Sequence, residues 1–345
     1  MPAGTRRYLM TTQPGWERAV IDEMRAAGVA GEFPVRHRGS SVVVPETAPR
    51  SAAAVHDLAT PATVYRVLLE AHADTGGDVL SAVLGALRSA RRADAFKESV
   101  VAALDGAGER GQRRYSIATE TYGRLSVNRG QLTGAIDAAF KAAFPRWRQS
   151  PEAGARLLCK ADPEYAVLAL QTATNLSADQ GLRAGSLREH LAASLLTLAG
   201  AAPGSTVFDP FMGTGTILQV AARRFGVAAC YGLEVATEAF QVARQRLSDR
   251  RCRLFNVRFE AFDLDRLPEG KARLVSNIPF GHRFARIPTT PLVELIENPA
   301  FGAGHAAGHV ALLMSREQAA EVAAATRLRA RNVLVLGQPA AIAYG

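Results

Sequence analysis

The sequence predicts an α/β protein whose C-terminal half is a doubly wound parallel sheet, preceded by a smaller α+β module. From about Ser177 onward, short apolar segments alternate with amphipathic ones. This alternation is typical of strands and helices wound around one sheet. Before Ser177 the elements are shorter and mixed, and the chain of 345 residues is long enough for two or three domains.

The composition indicates a globular protein with a sizeable core, because 48% of its residues are hydrophobic and 21% are charged. No apolar run reaches the roughly 20 residues that span a bilayer. The opening segment MPAGTRRYLMTTQPGWE lacks the apolar core of a signal peptide. We therefore expect a cytoplasmic protein without a membrane partner. The net charge of +9 favours a polyanionic partner but does not identify it.

The three cysteines, Cys159, Cys230 and Cys252, lie far apart and form no CxxC pair. Their number and spacing indicate neither a disulfide framework nor a zinc site. We interpret them as buried or idle thiols and predict no metal.

Short mixed elements fill the N-terminal module, residues 1–176. The predicted strands are Tyr8–Thr12, Ser41–Val44, Arg113–Thr119, Leu157–Ala161 and Ala166–Thr172. The predicted helices are Trp16–Ala27, Ala52–Ala59, Ala62–Ala71, Val79–Arg92 and Gln131–Phe144. Helical spacing of apolar residues and the Pro and Gly residues between segments set these bounds.

Residues 177–345 contain the predicted doubly wound sheet, with seven strands. These strands are Thr206–Phe208, Ala229–Glu234, Val257–Phe259, Arg273–Ser276, His309–Met314, Asn332–Leu336 and Ala340–Tyr344. The predicted helices are Ser186–Leu198, Ile217–Arg224, Thr237–Asp249 and Glu317–Thr326. Ligands of such sheets bind beyond the carboxyl ends of the strands.

The sharpest motif, VFDPFMGTGT, follows the first strand of this sheet at residues 207–216. An apolar strand ends in Asp209, and a Gly-x-Gly turn then leads into a helix. Glycines let the backbone approach a ligand without an intervening Cβ, and the free N–H groups of the helix start suit an anionic group. In S-adenosylmethionine, that group would be the carboxylate. The cofactor-binding candidates here are Asp209, Phe211, Gly213, Thr214 and Gly215.

Acids at the next two strand ends strengthen this interpretation. Glu234 ends the second strand, where an acid can hold a ribose diol by charge-assisted hydrogen bonds, and its neighbour Val235 joins the candidate set. Asp263 follows the third strand and is our candidate for the adenine amine, with Asp265 as the alternative. A dinucleotide site would normally show a third glycine after Gly215, which this sequence lacks.

The deciding motif is Asn277-Ile278-Pro279-Phe280, at the end of the fourth strand. A base amine that attacks a methyl group needs acceptors for its hydrogens. The Asn277 side-chain oxygen and the Ile278 carbonyl would supply two acceptors. Pro279 would stiffen the turn, and Phe280 would stack on the target base. A proline turn with a core phenylalanine is the alternative.

DPFMGTGTI together with NIPFG resembles the Rossmann-fold methyltransferases that act on amino groups. Residues 181–200, which include GLR and SLREHLAASLLTLAG, resemble the lead-in of THUMP-containing RNA methyltransferases, and YLMTTQPGWERAVIDEM resembles their opening. This family includes the tRNA guanosine-N2 enzymes. Ile278 stands where the family usually has its first proline, but its carbonyl remains.

The resemblance implies a ferredoxin-like segment (1–50), a THUMP-like RNA-binding domain (51–176) and a catalytic domain (177–345). It implies S-adenosylmethionine as cofactor and N2-methylation of a guanosine in tRNA as the reaction. Asn277, Ile278, Pro279 and Phe280 would hold the flipped base, and Asn277 would also contact the cofactor. We expect phosphate contacts from Arg88, Arg91, Arg92, Arg110, Arg113 and Arg114, and a monomer.

Other functions remain open on the sequence alone. The substrate can instead be an amine in rRNA, as in antibiotic resistance, or adenine in DNA. The Asn277 motif also fits a protein glutamine or a small-molecule amine. A non-catalytic RNA-binding module is the last alternative, and failure to bind the cofactor would favour it.

Overall fold

A computed structural model describes residues 6–47, 49–73, 79–90, 100–101, 113–176, 187–268, 272–280, 286–301 and 309–345. Tertiary contacts divide the chain into two units, with the main boundary between Thr174 and Asn175. The N-terminal unit holds the chain up to Thr12 and residues 24–174. The C-terminal unit holds residues 175–345 and the short segment Gln13–Glu23.

One eight-stranded sheet forms the N-terminal unit. Its strands are β1 (Arg6–Thr11), β2 (Val35–Arg36), β3 (Ser41–Thr47), β4 (Thr63–His72), β5 (Arg114–Thr121), β6 (Arg148–Gln149), β7 (Arg156–Ala161) and β8 (Tyr165–Thr174). Their order is β2-β3-β1-β4-β8-β7-β5-β6. Strands from both sides of residue 50 share this sheet, while the predicted division there stays a prediction.

Among the described residues, the N-terminal half of the chain also contains the helices α1 (Glu17–Ala26), α2 (Pro49–Asp57), α3 (Val79–Ala90) and α4 (Arg129–Ala143). Helix α4 begins with a capping box, in which Asn128 and Gln131 exchange side-chain and backbone hydrogen bonds of 2.9 Å. Its buried residues Leu132, Ile136 and Phe140 recur at helical spacing and pack in the core of this unit.

The predicted helix Ala62–Ala71 is wrong, because this segment is the strand β4. Thr63, Val64, Tyr65 and Val67 are β-branched or aromatic residues, which favour strands. The strand also pairs antiparallel with β1 on one side and β8 on the other, so its backbone groups are satisfied in the sheet.

The C-terminal unit is built on the predicted seven-stranded sheet, and this fold prediction is confirmed. Its strands are β9 (Thr206–Asp209), β10 (Ala229–Leu233), β11 (Cys252–Phe255), β12 (Ala272–Asn277), β13 (Val310–Met314), β14 (Arg329–Val335) and β15 (Gln338–Tyr344). The order is β11-β10-β9-β12-β13-β15-β14. Strands β9 to β13 run parallel, whereas β15 is antiparallel to both β13 and β14.

In the described part of this unit, five helices flank the sheet: α5 (Glu189–Leu198), α6 (Thr216–Arg224), α7 (Thr237–Arg246), α8 (Thr289–Ile296) and α9 (Arg316–Ala325). The connection from β9 leads to β10 on one side, and the chain later returns to β12 on the other side of β9. The sheet therefore reverses its winding beside β9, which is where open α/β sheets bind ligands.

Two elements of the C-terminal unit differ from the sequence prediction. The third strand is Cys252–Phe255 and not Val257–Phe259, because Phe259 begins a short 3-10 turn and packs in the core. Helix α8 was not predicted. Its apolar residues Leu292, Leu295 and Ile296 are buried, but two prolines within a short segment obscure the helical pattern.

The segment before α1 packs along the edge strand β14. Pro14 O accepts a 3.1 Å hydrogen bond from Leu334 N, and the Trp16 indole donates a 2.9 Å bond to Leu334 O. Gly15 has φ +94°, and a Cβ on it would lie 2.4 Å from Asn332 O. This segment thus covers a sheet edge that would otherwise present unpaired backbone groups.

Within the described ranges, no helix has both the length and the apolar character needed to cross a bilayer.

Candidate active site

Asp209 ends β9 and is almost fully buried, with 1% of its surface exposed. Its Oδ1 accepts hydrogen bonds from the Phe211 backbone N–H at 3.1 Å and from the Ser276 hydroxyl at 2.6 Å. Burial raises the pKa of Asp209 to about 7, although these two hydrogen bonds lower it, and the Glu234 carboxylate raises it further. This carboxyl therefore titrates near neutral pH.

The turn after β9 depends on two glycines, Gly213 and Gly215, with φ +55° and +82°. Gly215 is tightly packed, since a Cβ on it would lie 2.5 Å from Leu247 Cδ1. A Cβ on Gly213 would meet no atom within 4 Å. The backbone at Gly213 consequently faces open space that a ligand can approach closely, next to the start of α6.

Glu234 follows β10 and braces this turn. Its Oε2 accepts a 3.0 Å hydrogen bond from Gly213 N, and its Oε1 accepts a 2.7 Å bond from Ala236 N. The Asn256 side-chain amide, beyond the end of β11, donates to Glu234 O at 2.6 Å. The Glu234 carboxylate, which was predicted at the end of the second strand, is thus held beside the glycine turn. This proximity is necessary if both are to bind the same ligand.

The rim of this region is partly apolar. Val235 exposes 64% of its surface, and Phe211 packs its ring 5.1 Å from that of Phe259. Asp263 is exposed, accepts a 3.2 Å hydrogen bond from Asp265 N and pairs with Arg266 at 3.6 Å. Among the described residues, Asp263 has only these local contacts, and its cofactor role stays a prediction.

The Asn277-Ile278-Pro279-Phe280 motif begins at the carboxyl end of β12, which pairs directly with β9. Ile278 is fully buried and its N–H donates to Leu313 O at 2.9 Å. Asn277, Pro279 and Phe280 are partly exposed. The backbone of the motif is therefore fixed where the chain leaves β12. Asn277 and Phe280 lie at the same end of the sheet as Asp209, which ends β9.

Ser276 is the site residue that sequence reasoning missed. It is fully buried on β12 and its only described side-chain hydrogen bond goes to Asp209. A hydroxyl within the apolar strand RLVSN, directly before the motif, was the available signal. Through this residue the two strand-end motifs are joined.

The arginines predicted to bind RNA belong to the N-terminal unit. Arg88 is exposed in the last turn of α3, Arg113 is exposed with φ +49°, and Arg114 is partly buried at the start of β5. Arg91, Arg92 and Arg110 lie outside the described residues. Over the described part of the chain, no three His, Cys, Asp or Glu side chains are grouped to hold a metal ion.

Sheet order and strand-end motifs together define a Rossmann-like methyltransferase fold preceded by an α+β module. Residues 180–291 match the UPF0020 family, described as an RMKL-like methyltransferase domain. TrmN from Thermus thermophilus has a similar structure, with 23% identity, a TM-score of 0.69 and 98% of each chain covered. No sequence among the curated proteins matches the chain.

Two further solved structures are similar over nearly the same length. SMU.472 in complex with SAH has 14% identity and a TM-score of 0.66, with 99% of this chain and 98% of that chain covered. A possible methylase from Clostridium difficile 630 has 14% identity and a TM-score of 0.62, again with 99% and 98% covered. These likenesses establish the fold.

Proposed function

We propose that this protein is an S-adenosylmethionine-dependent methyltransferase that methylates N2 of a guanosine in tRNA. The observation that carries the proposal is the Ser276–Asp209 hydrogen bond of 2.6 Å. It joins the glycine-turn motif to the Asn277 motif on the neighbouring strand. A cofactor held by the first motif and an amine held by the second would therefore meet at one edge of the sheet.

The residues present fit S-adenosylmethionine. Open space beside Gly213 and the N–H groups at the start of α6 suit the carboxylate of the methionine part. Glu234 already accepts two backbone hydrogen bonds, and its remaining lone pairs would accept from ribose hydroxyls. The exposed Val235 side chain offers apolar surface for the adenine. SMU.472, which has this fold, was solved in complex with SAH.

When bound, the cofactor supplies an electrophilic methyl group on a sulfonium. The protein's part is to position the amine and to exclude water. Oxygens of Asn277 and Ile278 would accept from the two amine hydrogens and orient the nitrogen lone pair toward the methyl group. These acceptors also stabilise the positive charge that develops on the amine. Phe280 would stack on the base after it leaves the RNA helix.

Three observations support RNA, and tRNA in particular. The net charge of +9 favours a polyanion. A large α+β unit precedes the catalytic unit, as in the THUMP-containing enzymes that the sequence resembles. The third is the structural likeness to TrmN from Thermus thermophilus, which covers 98% of the chain. Arg88, Arg113 and Arg114 would provide part of the phosphate contacts.

Incubation of the full chain with methyl-labelled S-adenosylmethionine and size-fractionated total RNA tests the proposal. Nucleoside analysis should find the label in tRNA as N2-methylguanosine. Label in ribosomal RNA would support RNA methylation but would show that tRNA is not the substrate. Label in no RNA, with SAH binding intact by calorimetry, would reject the RNA reaction and direct the assay to glutamine-containing peptides and small amines.

A further inference from the structure

Two cysteines that are 22 positions apart in the sequence become direct neighbours in the C-terminal sheet. Cys230 on β10 and Cys252 on β11 are register partners in the parallel pair. Partners in adjacent strands project from the same face, and neighbouring strands lie about 4.8 Å apart. This separation falls inside the Cα range of about 4.4–6.8 Å that a disulfide allows.

The two thiols differ in burial and in ease of ionisation. The neighbouring Cys252 thiol and burial raise the pKa of Cys230, whose Sγ donates to Leu218 O at 3.8 Å. The Cys230 thiol lowers the pKa of Cys252, against burial and the Asp249 carboxylate, which raise it, while Arg251 has the smallest effect and lowers it. Cys252 is partly exposed, whereas Cys230 is fully buried. Cys252 is thus the thiol that an oxidant can reach and that ionises more readily.

The position of β11 favours bridge formation. It is the edge strand of the sheet and pairs only with β10 among the described strands, so its backbone can adjust to a bridge without disturbing a further strand. A disulfide places its two Cβ atoms about 3.5–4.5 Å apart, which requires a small approach of the strands. Bridges with such residual strain are the more easily reduced ones.

We propose that Cys230 and Cys252 form a dithiol site that hydroperoxides oxidise reversibly to a disulfide. The Cys252 thiolate attacks the hydroperoxide, forming an S–O bond while the O–O bond breaks and an alcohol leaves after protonation. The Cys230 sulfur then attacks the Cys252 sulfenic acid. Its S–O bond breaks, and the hydroxide leaves as water with the Cys230 proton. Two thiols are oxidised and one hydroperoxide is reduced.

This site lies on the strand pair that also presents the cofactor residues. Beyond the cysteines, β10 leads to Glu234 and β11 leads to Asn256, and these two residues are hydrogen-bonded at 2.6 Å. The bridge would therefore link covalently the two strands that position Glu234, the carboxylate proposed to bind the ribose. The pairing of the two cysteines follows from the register of β10 and β11 and is independent of the identity of the methyl acceptor.

Treatment of the full chain with tert-butyl hydroperoxide, followed by thiol counting in denaturant and peptide mass analysis, tests the proposal. Two of the three thiols should be lost, with a Cys230–Cys252 peptide two hydrogen atoms lighter than the reduced pair, and dithiothreitol should restore both. Cys159 lies buried in the other unit, so Cys159→Ser serves as the matched control and should oxidise like wild type.

The variants Cys230→Ser and Cys252→Ser separate the steps. Cys230→Ser should accumulate a sulfenic acid at Cys252, trapped by dimedone, whereas Cys252→Ser should resist peroxide. The proposal is overturned if wild type accumulates sulfenic or sulfinic acid at Cys252 without the bridge. It is equally overturned if the lost thiols appear in covalent dimers of two chains.

Discussion

The Ser276 hydroxyl donates a 2.6 Å hydrogen bond to Oδ1 of Asp209, so one buried side chain on β12 fixes the carboxyl that ends β9. This bond favours the ionised carboxylate, while burial favours the protonated form and raises the pKa of Asp209 to about 7. The balance between these two effects sets the charge of the candidate cofactor site near neutral pH.

Replacing Ser276 by Ala should raise the pKa of Asp209 further, because a hydrogen bond to the charged form is lost. A hydrogen bond to a charged group contributes roughly 1.5–3 kcal/mol, which corresponds to about one to two pKa units. In wild type, binding of the cationic cofactor should strengthen as pH rises through about 7. In Ser276→Ala this rise should move to higher pH, as measured by calorimetry with S-adenosylmethionine between pH 6 and 9.

A matched control for this variant is Ser194→Ala, a buried serine of α5 whose hydroxyl bonds to His190 O at 2.8 Å. It makes the same chemical change in the same unit without contacting Asp209. Its pH profile should equal that of wild type. Identical profiles for Ser276→Ala and wild type would show that Ser276 does not control the Asp209 charge.

Asn277→Ala should abolish methyl transfer and leave S-adenosylmethionine binding within about threefold of wild type. The amine loses one of its two acceptors, whereas the glycine turn and Glu234 are untouched. Single-turnover assays with tRNA measure the first effect and calorimetry the second. Asn332→Ala, an exposed position on β14, is the matched control and should keep full activity. Equal loss of binding and turnover in Asn277→Ala would indicate a structural role.

Much of this site could be predicted from the sequence because each motif is local. An apolar segment that ends in Asp209 or Asn277 predicts both a strand and the position of that polar residue at the strand's carboxyl end. The roles of Ser276 and of the Cys230–Cys252 pair were not predicted, because their contacts depend on which strands are neighbours. Strand order is not a local property: β12 lies beside β9 although β10 and β11 come between them in the chain.

The incorrect prediction of a helix where the structure has strand β4 has a related cause. An alanine-containing apolar segment after Thr60-Pro61 fits either a buried strand or a buried helix, because periodicity cannot separate the two over ten residues. Pairing with β1 and β8 decides for the strand. Similarly, the packing of residues 13–17 on β14 could not be predicted, because it joins segments more than 300 positions apart.

Reversal of charge at Arg113 and Arg114 should weaken tRNA binding. Arg113 is exposed and its carbonyl accepts a 2.9 Å hydrogen bond from Arg148 N, so the backbone that carries it is fixed. Each lost phosphate contact lowers the slope of log affinity against log salt by about one. The double variant Arg113→Glu/Arg114→Glu should therefore bind more weakly at low salt and show a shallower slope in filter binding or anisotropy.

The comparison for these arginines is Arg129→Glu, which makes the same charge change at an exposed position that opens α4. It should bind tRNA much as wild type does. If the double variant and Arg129→Glu lose equal affinity, the effect is one of net charge, and Arg113 and Arg114 are not part of the interface.

The N-terminal unit should lose stability on acidification through His37. This side chain is 3% exposed, and neither ring nitrogen has a hydrogen-bond partner among the described residues. Burial and then the nearby Lys160 ammonium lower its pKa to about 4, against smaller opposing effects of Asp162 and Glu120. Because the unfolded chain binds the proton more readily, stability is complete above about pH 6.5 and falls as pH drops toward 4.

The expected loss is roughly 3 kcal/mol by pH 4, from a difference of about 2.5 pKa units. His37→Asn removes the titrating group and should flatten this part of the stability curve, as measured by urea unfolding between pH 7 and 4. His72→Asn, an exposed histidine of β4, should keep the wild-type slope. An unchanged slope in His37→Asn would assign the acid sensitivity to other groups.

Gly15→Ala should destabilise the C-terminal unit by about 2–4 kcal/mol, since it combines backbone strain with a steric collision. The residue has φ +94°, and a Cβ would lie 2.4 Å from Asn332 O and 2.8 Å from Val333 Cα. Both are backbone atoms of β14, which is held by β15 and cannot give way cheaply. Thermal unfolding and hydrogen exchange of β14 and β15 amides would report the loss directly.

Gly28→Ala separates the two causes, because Gly28 has φ +75° but a Cβ there would meet no atom within 4 Å. Left-handed strain alone costs about 1 kcal/mol, so Gly28→Ala should be the milder variant and should spare β14 exchange. Since residues 13–17 cover the β14 edge, Gly15→Ala should also expose that edge and raise the tendency to aggregate. Equal effects of the two substitutions would mean that the contact between Gly15 and β14 does not stabilise the sheet.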